Sequence, residues 1–190
     1  MKALILNGSG KDDFKLQFIG GVVESQLALR SWQVESFIMR EINIADCLGC
    51  FSCWGRTPGA CVLDDAGFEI IKKEIQSDLL VLLTPVTFGS YSYHLKKVID
   101  RMLPVVEPFF ANSLGYSRHK KRFSKYPSAI AIGLMDGEDP ESEAIFRELI
   151  KRNAINNHCP NFTTEVFFRG EKEEQIKERV ELLTQKISQN

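Results

Sequence analysis

Long apolar runs are missing from this 190-residue chain. The longest aliphatic stretch, Leu79-Leu80-Val81-Leu82-Leu83, is far short of the roughly 20 residues a membrane-spanning helix needs. Met1-Lys2 is followed by only four apolar residues, too few for the core of a secretory leader. Excess charge is missing too: 24 Lys and Arg face 25 Asp and Glu, for a net charge of −1. With no sustained basic stripe, neither nucleic acid nor a membrane is expected as a partner. Internal repeats, low-complexity tracts and linkers are also absent, so one domain over residues 1–190 is expected, large enough to bury a real core.

The nucleotide fingerprints are missing as well. Gly8-Ser9-Gly10 is followed by Asp13 where G-x-G-x-x-G needs glycine. A Walker A loop would place glycine at Ile5 and Ser or Thr at Asp12. What remains is a small glycine-rich turn with a hydroxyl at Ser9 and a cation at Lys11. Such a turn can hold one phosphate group if it feeds a helix N-terminus.

Cysteine is what the chain does have. Four of its five cysteines fall in CLGCFSCWGRTPGAC, residues 47–61, spaced C-x2-C-x2-C-x7-C. Without export they are expected in a reducing cytoplasm, where clustered thiols read as metal or redox groups before disulfides. Cys47, Cys50, Cys53 and Cys61 could ligate a cubane iron–sulfur cluster or a structural zinc. A C-x2-C dithiol relay and small buried side chains without metal are the other readings.

Hydrophobic periodicity organises the rest. Ala3–Leu6, residues 32–38, Leu79–Leu83, residues 128–133 and residues 163–168 read as five strands. Helical patterns lie between them: Leu16, Ile19, Val23 and Leu27; Phe68, Ile71 and Ile75; Leu95, Ile99, Met102 and Val106; residues 140–156; and Ile176, Val180, Leu183 and Ile187. Asp12 or Asp13 can cap the first helix and Asp64 or Asp65 the second. Residues 107–126, with Arg118-His119-Lys120-Lys121-Arg122, read as irregular and solvated. Strands alternating with helices predict an α/β, three-layer doubly wound fold with a five-stranded parallel sheet. Ligands then sit at the carboxyl ends of the strands, which singles out the turn at 7–13 and the proline- and aromatic-rich loop from Thr84 to Tyr93.

Asn7-Gly8-Ser9-Gly10, the stretch TPVTFGSYSYHLKKVIDR at 84–101 and the cysteine segment between them resemble the flavodoxin-like NADPH-dependent FMN reductase family. More narrowly they are similar to its iron–sulfur flavoprotein branch. The likeness runs from Lys2 to about Asn157 and is strongest over 47–101. It implies a flavodoxin-like fold, FMN as cofactor and NAD(P)H as co-substrate. Ser9, Gly10 and Lys11 would take the FMN phosphate. Pro85, Val86, Thr87, Phe88, Gly89, Ser90 and Tyr91 would wrap the isoalloxazine and ribityl chain, with Leu95–Arg101 behind them. Cys47, Cys50, Cys53 and Cys61 match the branch's cluster ligands, implying a 4Fe–4S centre. A homodimer or homotetramer is implied, with electrons passing to a small-molecule acceptor or a redox partner protein. No acid–base residue is assigned, because the flavin carries the chemistry. Two further functions fit the same fold: a flavin and iron–sulfur electron carrier, or a flavin-poor binding module. The second is suggested by Asp12 and Asp13, which are unfavourable near a phosphate unless they point outward or cap the helix.

Overall fold

The computed structural model describes residues 1–113 and 115–188. The chain runs β1 (Lys2–Asn7), α1 (Phe14–Leu29), β2 (Gln33–Ile38), α2 (Ala66–Gln76), β3 (Leu79–Pro85) and α3 (Tyr93–Asp100). It continues through β4 (Val106–Ser113), β5 (Tyr116–Lys121), β6 (Ser128–Met135), α4 (Pro140–Asn156), β7 (Phe162–Phe168) and α5 (Glu173–Ser188). The main sheet has the order β2-β1-β3-β6-β7, with every pairing parallel. Taken in chain order these five strands follow the 2-1-3-4-5 arrangement of the flavodoxin-like fold.

Side-chain alternation in β3 explains the layers. Leu80 and Leu82 join Leu4, Leu6, Ile70, Leu95, Val98 and Phe146 in one core, under α2, α3 and α4. Leu79, Val81 and Leu83 point the other way, joining Ala3, Ile5, Leu16, Val23, Ile176 and Val180 under α1 and α5. A strand buried on both faces reads as a continuous apolar run, as β3 does. Helix starts follow the acidic caps: Asp13 accepts from the Leu16 amide, and Asp65 accepts from the Gly67 amide at 3.0 Å. Gly20-Gly21 does not interrupt α1.

Two expectations change. Residues 107–126 are not irregular: β4 and β5 form an antiparallel ribbon, with His119 stacked on Phe110 at 4.2 Å. The basic composition of β5 hides a strand that cross-strand stacking holds. The third helix is shorter than its apolar spacing implies, ending at Asp100; Val106 opens β4. Among the described residues no helix is long and apolar enough to cross a membrane.

Glu74 lies on the core side of α2, 2% exposed, and its Oε2 has no hydrogen-bond partner. Burial pushes its carboxyl from 4.5 up to about 8. The folded state therefore keeps a proton that the unfolded chain releases. That contribution to stability is complete below about pH 4.5 and is lost as pH rises to about 8, by at most ~1.4 kcal/mol per pH unit. Urea unfolding at pH 5 and pH 8 is expected to show this loss in the wild type. In Glu74→Gln the loss should be smaller by the carboxyl's share; equal losses in both proteins would remove Glu74 as the cause.

Candidate functional site

The register of the sheet brings the first pieces together. β1 lies between β2 and β3, so the turns after all three strands emerge at one edge. Gly8 donates its amide to Leu83 O at 2.7 Å, and Ser92 Oγ donates to Gly8 O at 2.7 Å. A Cβ at Gly8 would stand 2.7 Å from both Leu95 Cβ and Ser92 Oγ, so only glycine fits. The loops predicted to hold phosphate and ring are thus bolted to each other.

Beyond Gly8, Ser9 is fully enclosed, its amide bonded to Asn7 Oδ1 at 2.9 Å. Its hydroxyl accepts from Arg40 Nη1 at 2.9 Å rather than facing solvent. The backbone amides of Gly10, Lys11 and Asp12 have no acceptor among the described residues, and Lys11 is exposed. These three amides lie just ahead of the N-cap of a 16-residue helix, with exposed Lys11 among them, an arrangement able to receive an anion. The two carboxylates are disposed of in the two ways that spare it. Asp12 is exposed, while Asp13 caps α1 and pairs with Arg169, which also holds Asp136 at 2.7 Å.

After β3 the chain makes a tight turn in which Thr87 and Ser90 exchange backbone hydrogen bonds of 3.0 and 2.9 Å. Phe88 and Gly89 form its apex with φ of 50° and 69°. A Cβ on Gly89 would lie 2.5 Å from Ile145 Cγ2. Val86 donates to Leu134 O, so the amides of this turn without an acceptor among the described residues are those of Phe88, Gly89 and Tyr91. Pro85 and Val86 are half-buried, Thr87 is exposed, and the Phe88 ring is 95% exposed. Tyr91 turns inward: its ring packs edge-on to Phe146 and its hydroxyl accepts from Asn153 at 3.1 Å. Burial pushes that phenol up to about 12.

The cysteine segment is held from below. Arg101, 1% exposed at the end of α3, grips Asp65 through Nη1 at 3.0 Å and Nη2 at 2.9 Å, and donates to Ala45 O and Leu63 O. Burial pushes the Asp65 carboxyl up, but hydrogen bonds from Arg101 and the Ala45 amide outweigh it, holding the group below its ordinary value. Trp54 pins the far side, donating to Leu103 O and Val106 O and lying 5.0 Å from the His119 ring. Cys47, Cys50, Cys53 and Cys61 all line one pocket of about 20 Å³, walled by Leu48, Phe51, Leu103 and Pro104. Cys53 is the buried one, its thiol pushed up by burial and by Cys61 beside it. At exposed Cys50 the Ser52 hydroxyl and amide lower the thiol. Among the described residues, no three Cys, His, Asp or Glu side chains are grouped to hold a single metal ion.

Sequence reasoning missed Arg40 and Arg169, and included Ser92 and Arg101 only within the stretches 84–93 and 95–101 without their roles, because their partners lie far along the chain and form no local motif. The basic run 118–122 is partly structural: Arg122 donates to Val106 O, and His119 Nδ1 lies 2.7 Å from Glu107 O.

A family model described as NADPH-dependent FMN reductase matches residues 1–133. An iron–sulfur flavoprotein of Methanocaldococcus jannaschii is 28% identical over 105 residues, 55% of this chain and 53% of the relative. Another, from Archaeoglobus fulgidus, is 29% identical over 101 residues, 53% of this chain and 48% of the relative. The chain spans about half the length of these two curated relatives. Among solved structures, an NAD(P)H:quinone oxidoreductase from Methanothermobacter marburgensis superposes with a TM-score of 0.73 at 14% identity, covering 100% of this chain and 95% of that one. At that identity the likeness is one of fold.

Asp65→Asn leaves the buried guanidinium without its counter-charge and is expected to cost about 3 kcal/mol of stability. In that variant the reaction of the cysteine thiols with a disulfide reagent should also speed up several-fold, as the 45–65 segment loosens. Unchanged thiol kinetics in a folded variant would show that the pair does not hold the segment.

Proposed function

The chain belongs to the NADPH-dependent FMN reductase family, and on that premise we propose that it binds FMN at the carboxyl edge of β1 and β3 and oxidises NAD(P)H. The electrons go to a small-molecule acceptor or a redox partner protein. The observation that carries this reading is the set of open amides at Gly10, Lys11 and Asp12, bolted through Gly8 and Ser92 to the open amides of the 84–92 turn. The first set, with Lys11, takes the phosphate. The second faces the flavin's polar edge, where hydrogen bonds tune its electronics. Bound FMN supplies the hydride acceptance and electron transfer. The exposed Phe88 ring supports a site closed by a second copy of the chain, in a homodimer or homotetramer.

The four cysteines are proposed as ligands of a 4Fe–4S cluster. Four cysteines lining one pocket match, in residue type and number, the four-thiolate donor set of such a cluster. A pocket of about 20 Å³ holds little more than one water, so loading requires the 47–61 segment to move outward. The names of the curated relatives support the same reading.

The test is an absorption spectrum of protein purified without oxygen, with iron and acid-labile sulfide counts and an assay of NAD(P)H oxidation. Flavin bands over a broad brown shoulder are expected, and Cys53→Ala should lose the iron while retaining FMN. Flavin without iron would overturn the cluster and leave the oxidoreductase. A colourless protein that does not take up added FMN would overturn both.

A further inference from the structure

Arg40 sits two residues beyond Ile38, and Ser9 two residues beyond Asn7; Ile38 and Asn7 are register partners at the end of β2 and β1. The side chain of Arg40 therefore reaches the turn after the neighbouring strand. Its Nη1 lies 2.9 Å from Ser9 Oγ, 3.3 Å from Ser9 O and 3.3 Å from Gly10 O. Its other terminal nitrogen is engaged by Glu41 at 2.9 Å.

Those two carbonyls determine where two amides point. In a trans peptide the C=O of one residue and the N–H of the next are antiparallel, and no cis bond occurs among the described residues. Drawing Ser9 O and Gly10 O to one side turns the Gly10 and Lys11 amides to the other. These are two of the three amides left open for a phosphate. The guanidinium works from behind the seat, pre-setting its donors so that they need not reorganise when the anion arrives.

We propose that Arg40 is a positioning residue that orders the phosphate loop and so makes the site prefer a phosphorylated flavin over its unphosphorylated counterpart. This rests on the FMN reading above. An isolated cation opposite the seat would raise affinity through charge alone. A guanidinium spanning two carbonyls and a hydroxyl raises it through geometry, and that difference is measurable.

The experiment compares wild type, Arg40→Ala and Arg40→Lys, each stripped of flavin, by titration with FMN and with riboflavin. Amide order parameters for Gly10 and Lys11 are measured by NMR on the same flavin-free proteins. Arg40→Ala is expected to weaken FMN about tenfold, change riboflavin less than twofold, and lower the order of both amides. Arg40→Lys keeps donors for the carbonyls and should fall between Ala and wild type; it carries the test alone if the Ala variant does not fold. Equal weakening of both flavins, or none, would overturn the proposal, as would unchanged amide order with FMN affinity lost. A wild-type protein that binds neither flavin would overturn the FMN reading instead, while the amide measurement would still report whether Arg40 orders the loop.

Discussion

At Gly8 the chain leaving β1 passes so close to the start of α3 that no side chain fits between them, and hydrogen bonds on either side fix the approach. Everything at the carboxyl edge of the sheet depends on this contact. The turn at 8–13 and the loop at 84–92 come from strands far apart in sequence but adjacent in the sheet, and here they become one surface. Ser92 contributes twice, donating through its hydroxyl to Gly8 and capping α3 with the same oxygen. A ligand spanning both loops meets a shelf already assembled, so little of its binding energy goes into ordering the protein.

The second constraint lies under the cysteine segment. Between β2 and α2 the chain makes a long excursion with little regular structure, and it must return to the core without leaving charge stranded. Arg101 and Asp65 solve both problems. The pair is buried on the arginine side, 1% against 19% exposed, and the guanidinium also satisfies carbonyls at both ends of the excursion. A buried ion pair adds little net stability but is costly to break, so it specifies one arrangement of the segment. Trp54 does the same from the β4–β5 side. Four cysteines then line one pocket although the loop between them has no ladder or helix to order it.

The site's electrostatics follow from pairing across elements. The two aspartates after Lys11 look hostile to an anion in a linear reading. In three dimensions one faces solvent, and the other is occupied by the first turn of α1 and by Arg169 from beyond β7. A cation behind the loop, Arg40, arrives from the adjacent strand. Asp13 and Arg40 are thus committed to protein partners and Asp12 lies in solvent, so neither carboxylate is tied to the exposed Lys11 or the open amides.

Much of this was legible in the chain alone. The apolar runs Ala3–Leu6 and Leu79–Leu83, the amphipathic stripe from Ile176 to Ile187 and the acidic caps determined the five-stranded parallel fold, because each signal is local and strand and helix periods differ. The glycine-rich turn, the 84–93 loop and the cysteine spacing marked where chemistry would sit. Tertiary structure decided the rest, since it depends on which distant residues meet. It paired the basic stretch 116–121 with β4, turned Tyr91 into the core, enclosed Ser9, and recruited Arg40, Arg101 and Arg169. Local propensity is carried by neighbouring residues and can be read from them. A guanidinium's partners are set by sheet order and register, and a linear sequence does not display either.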